Sequence, residues 1–237
     1  MKTAVVTGGS RGIGLGVVRM LVKRDYKVLA SYAHDDDAAR QAEAELQGRA
    51  IYFKADHSVR QQTYAFIDFV RSNTDHVDCI VCNAGTTVRH GFVETTDSDW
   101  DQVMEVAVNA HFILLRELYP LVQNHSRILF TGSTMGIHSH ASVLSYGVSK
   151  SAVHGMVRNL VKVFADKQTT VNAVAPGFVD TEWQQDKPEQ IRQNICQKTA
   201  LHRFATIEEV VSAYTFCLDN PFVNGAVIEV HGGYSYQ

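Results

Sequence analysis

The sequence predicts an α/β fold, in which about seven parallel strands form one doubly wound sheet with helices on both faces. Apolar runs alternate with amphipathic segments along all 237 residues, and the runs are continuous in Val, Ile and Leu, as in parallel strands buried on both faces. No linker, internal repeat or low-complexity segment interrupts this alternation. We therefore expect a single domain over residues 1–237.

Each strand is predicted from one apolar run, and the runs cover residues 3–7, 27–32, 50–54, 77–82, 127–131, 170–175 and 226–230. Between the strands, apolar positions recur at helical spacing, and Ile13, Val17 and Leu21 share one face of the first helix. A long helix is predicted with Asp97 as its N-cap and an end near Pro120. Strands and helices that alternate at this spacing favour right-handed crossovers.

Composition and charge are those of an ordinary globular protein, with 45% hydrophobic and 20% charged residues. The net charge is −3 and no basic block occurs, so neither nucleic acid nor an anionic membrane is an expected partner. The first strand begins at residue 3, which leaves no room for a signal peptide, and no apolar run approaches the roughly 18 residues needed to span a bilayer. The expected location is the cytoplasm.

Cysteine and histidine patterns do not indicate a metal site. Cys79 and Cys82 form a CxxC within a predicted strand, where positions three apart face opposite sides, so both thiols are expected in the core. No second CxxC and no histidine pair completes a zinc site, and His138 and His140 lie in an irregular stretch without an HExxH motif. We expect no metal.

The segment TGGSRGIG, residues 7–14, lies between the first predicted strand and the first predicted helix. Glycines at this place allow a tight turn and close backbone approach to a diphosphate, which the N–H groups at the helix start then bind. The spacing of Gly8, Gly12 and Gly14 differs from GxGxxG, and three glycines alone are a weak signal. Their position after the first strand of an α/β chain indicates a dinucleotide site.

The end of the second strand predicts which dinucleotide is bound. NAD sites place an acid there to hold the ribose hydroxyls, whereas NADP sites provide a cation. Ser31, Tyr32 and Ala33 contain no carboxylate, and Arg11 in the glycine turn can reach a 2′-phosphate. The sequence therefore favours NADP(H), while Asp35 keeps NAD(H) open as the alternative.

The stretch SYGVSK places Tyr146 four residues before Lys150 on a predicted helix. This step puts both side chains on one face, about 5–6 Å apart at Cβ. A cation at that distance favours the phenolate and lowers the pKa of the tyrosine. The alternative is that Tyr146 only packs while Lys150 points at water, and these six residues do not decide between the two.

The complete set of motifs resembles the short-chain dehydrogenase/reductase family, and the likeness covers essentially the whole chain. The matching pieces are TGGSRGIG, Asp56, Asn83-Ala84-Gly85, Asn109, Ser133, Tyr146-x3-Lys150 and Pro176-Gly177. Within the family, TGGSRGIG and VNAVAPGFVDT (171–181) are most similar to the 3-oxoacyl-[acyl-carrier-protein] reductases of fatty acid biosynthesis. The resemblance implies a Rossmann-type NAD(P)-binding catalytic domain.

The resemblance also implies four catalytic residues. Tyr146 would protonate the carbonyl oxygen as hydride arrives from the nicotinamide, and Ser133 would donate a hydrogen bond to the same oxygen. Lys150 would lower the pKa of the tyrosine and bind the nicotinamide ribose. Asn109 would hold a water molecule that links Lys150 to solvent.

Cofactor contacts are implied at the carboxyl ends of the strands, where open α/β sheets bind ligands. Asp56 would bind the adenine amino group, and Val179 and Thr181 would contact the carboxamide or the phosphates. The complete set is Gly8, Ser10, Arg11, Gly12, Ile13, Gly14, Tyr32, Asp56, Asn83, Ala84, Gly85, Tyr146, Lys150, Pro176, Gly177, Val179 and Thr181.

The substrate remains open between three interpretations. The first is NADPH-dependent reduction of a ketone, either a small molecule or a 3-oxoacyl thioester, with an acyl carrier protein as a candidate partner. The second is a dehydrogenase of a sugar, polyol or steroid alcohol, and the third is a non-catalytic NADP-binding redox sensor. Carrier-protein reductases present basic residues near the mouth of the site, and the corresponding positions here are Asn124 and Lys167, of which one is basic.

Substrate-contacting segments are expected at residues 86–92, 134–144 and 182–201, and the last is predicted as a mobile lid or as an ordinary surface helix. The Asp-Gly-Gly found near the end of relatives is His231-Gly232-Gly233 here. The family likeness suggests a homotetramer or homodimer that packs helices 97–119 and 145–165 across subunits.

Overall fold

The computed structural model describes residues 1–138, 143–185 and 187–235, and it contains one seven-stranded sheet in the order β3-β2-β1-β4-β5-β6-β7. The strands are β1 (Lys2–Val6), β2 (Tyr26–Tyr32), β3 (Ala50–Lys54), β4 (Val77–Cys82), β5 (Val122–Thr131), β6 (Thr170–Pro176) and β7 (Val227–Val230). All neighbours pair in parallel. The predicted doubly wound sheet is confirmed, although β5 begins five residues earlier than expected.

Helices cover both faces of the sheet. They are α1 (Gly12–Lys23), α2 (Asp36–Glu45), α3 (Arg60–Asn73), α4 (Asp97–Met104), α5 (Ala110–Leu118), α6 (Leu144–Val163), α7 (Glu182–Gln185), α8 (Glu189–Lys198) and α9 (Ile207–Asp219). Within the described residues, no helix has both the length and the apolar character that a membrane crossing requires.

The predicted long helix is divided into three parts. α4 and α5 are joined by a π-helical segment, Glu105–Asn109. The N-cap of α4 is Thr96 rather than the predicted Asp97, because the Thr96 side chain accepts from the amide of Asp99 at 3.2 Å and Asp99 accepts from the amide of Thr96 at 3.0 Å. This reciprocal capping satisfies two amides that would otherwise lack partners, so the cap lies one residue earlier.

Two apolar layers separate the sheet from its helices. On one face Leu21 of α1 and Tyr214 of α9 pack on the sheet, and on the other Phe66 of α3 and Leu114 of α5 do so. Cys79 belongs to the first layer and Cys82 to the second, as the strand period predicts. Because both faces are covered, ligands reach the sheet at its edges and strand ends.

Candidate active site

Most predicted site residues lie at the carboxyl ends of the strands β1 to β6, and Asn109, Tyr146 and Lys150 lie on helical segments. β1 pairs with β2 on one side and with β4 on the other, so the strand order reverses between β1 and β4. In open α/β sheets, ligands bind outside the carboxyl ends of the strands at such a reversal. The glycine turn directly after β1 lies at this point.

The turn from β1 into α1 has the shape that a diphosphate requires. Gly8 and Gly12 have φ values of +67° and +54°, in the left-handed region that favours glycine. A Cβ at Gly14 would overlap the carbonyl oxygen of Gly8 and lie 2.6 Å from Asn83 Nδ2. α1 has no side-chain N-cap and no acid in its first turn, so its first amides can bind an anion.

The other predicted residues of the glycine turn differ in solvent exposure. Ser10 is buried, Ile13 packs against the core, and the side chain of Arg11 is 60% exposed. The exposed guanidinium lies beside the turn that is expected to bind the diphosphate. It is therefore suited to bind an additional phosphate group, such as the 2′-phosphate of NADP.

The turn after β4 is joined to the glycine turn by hydrogen bonds. Thr7 Oγ1 accepts from the amides of Asn83 and Ala84 at 2.9 and 3.0 Å. Asn83 Nδ2 donates to the carbonyl oxygens of Thr7 and Gly8 at 3.0 and 2.9 Å. A Cβ at Gly85 would lie 3.5 Å from Lys150 Nζ, so this turn also reaches the lysine. The predicted triplet 83–85 therefore connects the glycine turn with Lys150.

Two acidic residues that follow β2, Asp35 and Asp36, lie near cations of the glycine turn and of β3. Asp35 caps α2 by accepting from the amide of Ala38 at 2.9 Å, and it lies 3.9 Å from Arg11 Nη1. The Tyr32 hydroxyl donates to Asp36 at 3.0 Å, and Lys54 Nζ donates to the same carboxylate at 2.9 Å. Both acids are thus engaged by the protein, which weakens the NAD alternative that rested on Asp35.

Asp56 lies beyond β3, at the same edge of the sheet. Its carboxylate accepts from the amide of Ser58 at 2.9 Å and lies 3.7 Å from His34 Nε2. Its own amide donates to Gln62 Oε1 at 2.8 Å. The bond from Ser58 orients the carboxylate, and its contact with the adenine stays a prediction.

The segment after β6 reaches back to the glycine turn. The Thr134 hydroxyl donates to the carbonyl oxygen of Pro176 at 3.2 Å, and Gly177 is packed so closely that a Cβ would lie 2.8 Å from His231 Cβ. Val179 is buried, and a methyl carbon of Thr181 lies 3.7 Å from the position that a Cβ would occupy at Gly12. Residues about 170 positions apart in the sequence therefore meet at one edge of the sheet.

Ser133, Tyr146 and Lys150 lie together at the ends of β5 and α6. The Ser133 side chain is near enough to the Tyr146 hydroxyl to lower its pKa. Lys150 Nζ donates to the carbonyl oxygen of Thr131 at 2.8 Å and lies 5.5 Å from the centroid of the Tyr146 ring. Ser133 and Lys150 are buried, whereas Tyr146 is partly exposed. The alternative in which Lys150 points at water is wrong.

Burial controls the electrostatics of this group. It lowers the pKa of Lys150 to about 8, because the charged form loses its hydration. It also raises the pKa of Tyr146, and the Ser133 side chain opposes this only in part. The net shift of the Tyr146 pKa is thus upward, and the lowering by Lys150 that the resemblance implies stays a prediction. In this structure the ammonium group of Lys150 donates to Thr131.

Asn109 ends the π-helical segment. Its Nδ2 donates to Glu105 Oε2 at 2.7 Å, and Glu105 also accepts a bidentate pair of bonds from Arg60 at 2.8 and 2.7 Å. The side-chain amide is thus engaged four residues back and not with Lys150. The implied link from Lys150 to solvent has no support from this side chain.

The chain matches the family model described as short chain dehydrogenase over residues 2–192. The chain belongs to the short chain dehydrogenase family. It is 31% identical to 3-oxoacyl-[acyl-carrier-protein] reductase FabG of Rickettsia prowazekii (strain Madrid E), over 98% of this chain and 96% of that protein. It is also 31% identical to 2-dehydro-3-deoxy-D-gluconate 5-dehydrogenase of Pseudoalteromonas atlantica, over 98% of this chain and 95% of that protein.

Solved structures of other proteins superpose on this short chain dehydrogenase over nearly its full length. BdcA in complex with NADPH matches with a TM-score of 0.89 and 30% identity, over 99% of this chain and 94% of that chain. The RhlG/NADP complex of Pseudomonas aeruginosa matches with a TM-score of 0.90 and 26% identity, over 98% and 95%.

His111 is a site-forming residue of this short chain dehydrogenase that the sequence patterns missed. It is buried, with Nε2 at 3.1 Å from Thr7 Oγ1 and Nδ1 at 2.9 Å from the carbonyl oxygen of Ala107. Thr7 Oγ1 already accepts two amide bonds, so its proton goes to Nε2, and Nδ1–H donates to Ala107. Burial lowers the pKa of His111 to about 3, so the ring stays neutral and links the π-helical segment to the glycine turn.

The positions proposed for a carrier protein lie at the other end of the sheet. Asn124 is near the start of β5, and Lys167 precedes β6. Lys167 Nζ donates to the carbonyl oxygen of Val122 at 3.0 Å and lies 4.8 Å from the centroid of the Tyr119 ring. These two positions cannot line the mouth of the site in their own subunit.

The segment 182–201 forms α7 and α8 in its described residues, and Asp186 lies outside them. The centroid of the Trp183 ring lies 6.4 Å from that of Tyr146, so α7 covers the tyrosine. Of the predicted segment 134–144, residues 139–142, which include His140, lie outside the described residues.

A histidine–carboxylate cluster lies beyond β7. His138 Nε2 and His231 Nε2 lie 2.6 and 3.7 Å from Glu229 Oε2. The amide of Tyr234 donates to His231 Nδ1 at 3.0 Å, so in the neutral ring the proton is on Nε2 and faces the carboxylate. His231 could bind a metal through Nε2 only after losing that proton, and its Nδ1 already accepts from Tyr234. The cluster therefore has the hydrogen bonding of an ion-pair network.

Proposed function

We propose that this enzyme uses NADPH to reduce a ketone to a secondary alcohol through Ser133, Tyr146 and Lys150. The observation that carries the proposal is the meeting of Ser133, Tyr146 and a buried Lys150 at the edge of the sheet that also carries the glycine turn. The stability of the fold does not require two hydroxyl groups and an ammonium group to lie together at this edge. Their meeting supports proton transfer to a substrate oxygen.

NADP(H) is the cofactor. Two solved relatives are complexes with NADPH and NADP. In this chain Arg11 is exposed beside the glycine turn, and its only acidic partner among the described residues is Asp35 at 3.9 Å. A 2′-phosphate would replace that weak pair with a charge-assisted contact. The glycine turn and the first amides of α1 would hold the diphosphate.

The bound nicotinamide supplies the hydride. Tyr146 transfers its hydroxyl proton to the carbonyl oxygen, and the Ser133 hydroxyl donates a hydrogen bond to the same oxygen as negative charge develops there. Lys150, whose pKa is about 8, exchanges a proton near neutral pH, and its Nζ lies 5.5 Å from the centroid of the Tyr146 ring, on the same side of the helix. The buried position of Ser133 and Lys150 keeps water from competing for these contacts.

The leading substrate class is a 3-oxoacyl thioester. Full-length similarity to the Rickettsia reductase supports it, as does the likeness of the segments 7–14 and 171–181. A place in fatty acid biosynthesis follows if the thioester is carried by an acyl carrier protein. The positions 124 and 167 provide no support for that carrier.

A second candidate is a hydroxylated sugar acid. The relative from Pseudoalteromonas is named as a dehydrogenase of 2-dehydro-3-deoxy-D-gluconate. Its sequence identity to this chain equals that of the Rickettsia reductase. Thr87 Oγ1 and Gln184 Oε1 are buried polar atoms without a partner among the described residues, and both lie on segments expected to contact substrate. Hydroxyl groups of a sugar would satisfy them.

NADPH oxidation with acetoacetyl-CoA, compared with a panel of keto sugars, sugar acids and steroid ketones, tests the proposal. We expect oxidation with acetoacetyl-CoA. Oxidation only with sugar acids would replace the leading class by the second. Tight NADPH binding without oxidation by any compound of the panel would contradict the proposed ketone reduction. It would favour the third interpretation, a non-catalytic redox sensor.

We also propose a homodimer or homotetramer built on α4–α5 and α6. Phe112 of α5 is 51% exposed and Val163 of α6 is 53% exposed, which supports burial of these helices against a second copy. Light scattering of the purified protein measures the assembly. A monomer at micromolar concentration would contradict this part of the proposal.

A further inference from the structure

Two cations lie on the segments that flank the tyrosine. Arg89 is in the irregular stretch after β4, four residues beyond Gly85, whose backbone approaches Lys150 Nζ. Lys187 follows α7, four residues beyond Trp183, whose ring lies beside that of Tyr146. Arg89 is exposed and Lys187 is half-buried. The chemistry described above uses neither of them.

Neither side chain has a counter-ion among residues 1–138, 143–185 and 187–235. No carboxylate lies within 4.0 Å of either, and neither donates a side-chain hydrogen bond there, while Asp186 lies outside these residues. Most other arginines of the described chain do pair with a carboxylate, namely Arg11, Arg19, Arg24, Arg40, Arg49, Arg60, Arg71, Arg116, Arg192 and Arg203. Arg89 therefore differs from most arginines of this surface, and Lys187 provides a second cation without a counter-ion in the described residues.

The two positive charges influence each other. Burial lowers the pKa of Lys187, and the positive charge of Arg89 lowers it further. Like charges that face each other without a counter-ion destabilise the folded state, and an anion between them removes that cost. Such pairs are typical of sites that bind carboxylates or phosphates.

The same two segments contain polar atoms without partners. Thr87 Oγ1, two residues before Arg89, is buried and unpaired within the described residues, and so is Gln184 Oε1, three residues before Lys187. A buried polar atom without a partner loses the hydrogen bonds that it would make with water in the unfolded chain. A polar ligand that enters between the two segments would satisfy both atoms and meet both cations.

We propose that Arg89 and Lys187 form an anion subsite at the mouth of the active site, which binds a carboxylate or phosphate of the substrate while its ketone lies at Tyr146. Thr87 and Gln184 bind polar atoms between the anion and the ketone. This subsite rests on the proposed function, because it selects among ketones that Tyr146 protonates. The anion has two possible sources, a small oxo acid or the phosphates of a coenzyme A thioester.

Two matched substrate pairs distinguish these sources. Acetoacetate and its neutral ethyl ester differ by the carboxylate, and acetoacetyl-CoA differs from acetoacetyl-N-acetylcysteamine by the phosphates together with the adenosine and most of the pantetheine, so the phosphate effect is read from the variants rather than from the pair alone. Binding of all four in the presence of NADP⁺ is measured by calorimetry, and turnover is measured with NADPH. The proteins are the wild type, Arg89→Gln, Lys187→Gln, the double variant, and Lys23→Gln as a control at the exposed end of α1.

We expect the double variant to bind the anionic member of one pair about 10–100-fold more weakly, since a hydrogen bond to a charged group contributes about 1.5–3 kcal/mol. Neutral members and the Lys23→Gln control should be unchanged. Equal effects on neutral and anionic members, or no effect on either anion, would overturn the subsite. If the wild type binds an anion through these residues but reduces none of the four compounds, the proposed function fails and the subsite stands.

Discussion

Replacing Lys150 with Met is expected to make the folded protein more stable at neutral pH while it removes turnover. Burial holds the pKa of Lys150 at about 8, against an ordinary value of 10.5. At about 1.36 kcal/mol for each pH unit of difference, burying the charged lysine costs about 3 kcal/mol. The Lys150→Met variant avoids that cost, but it loses the hydrogen bond to Thr131, which contributes about 1 kcal/mol. The expected gain at pH 7 is therefore about 2 kcal/mol.

The pH dependence identifies the cause. Below pH 8 both the folded and the unfolded protein carry the proton, and the cost is complete. Between pH 8 and 10.5 the folded protein loses the proton while the unfolded chain keeps it, so the wild type becomes more stable as pH rises. The advantage of Lys150→Met should therefore shrink over this range and vanish near pH 10.

Urea unfolding at pH 7 and pH 10, followed by tryptophan fluorescence, measures both quantities. Lys162→Met, at an exposed position on the same helix, gives the effect of removing a lysine from the surface. A Lys150→Met variant that is less stable than the wild type at pH 7 would refute the reasoning. So would a stability difference that is the same at both pH values.

Three further predictions concern the site itself. Tyr146→Phe should lower kcat about 10²–10⁴-fold with NADPH affinity unchanged, because it removes the proton and little else; a fully active variant in a steady-state assay would exclude Tyr146 as the acid. Arg11→Ala should weaken NADPH far more than NADH in fluorescence titrations, whereas equal weakening would contradict a contact with the 2′-phosphate. Gly14→Ala should destabilise the protein by about 1–3 kcal/mol and impair NADPH binding, because the new methyl group overlaps Gly8. Gly155→Ala, where a Cβ meets no atom within 4 Å, should instead stabilise by about 1 kcal/mol in thermal unfolding, and a loss at both glycines would show that space is not the cause.

The fold was predictable because the strands are short, buried on both faces and separated by amphipathic helices. Their apolar runs locate β3 and β4 to the residue. The long predicted helix shows what the spacing of apolar residues does not predict. A π-helical segment adds one residue to a turn without changing the apolar spacing, and the choice of Thr96 over Asp97 as the cap depends on which side chain closes the reciprocal bond.

The site was predictable in position and less so in its interactions. Parallel strands bring their carboxyl ends to one edge, so motifs placed after each strand must meet there. The pKa of Tyr146 depends on burial, which two residues on one helix face do not reveal. His111 and Arg89 gave no signal, because their roles come from segments that lie far away in sequence, Thr7 for the one and the stretch around Lys187 for the other.

The cysteines give a direct way to observe opening of the sheet. Cys79 and Cys82 face the two opposite apolar layers, and burial raises the pKa of Cys79 to about 12, so neither thiol reacts until its layer opens. Cys196 on α8 is half-buried and remains accessible in the native state. Under alkylation, one thiol should therefore be modified early and serve as an internal reference. The delay before the two strand thiols react then measures how often each side of the sheet separates from its helices.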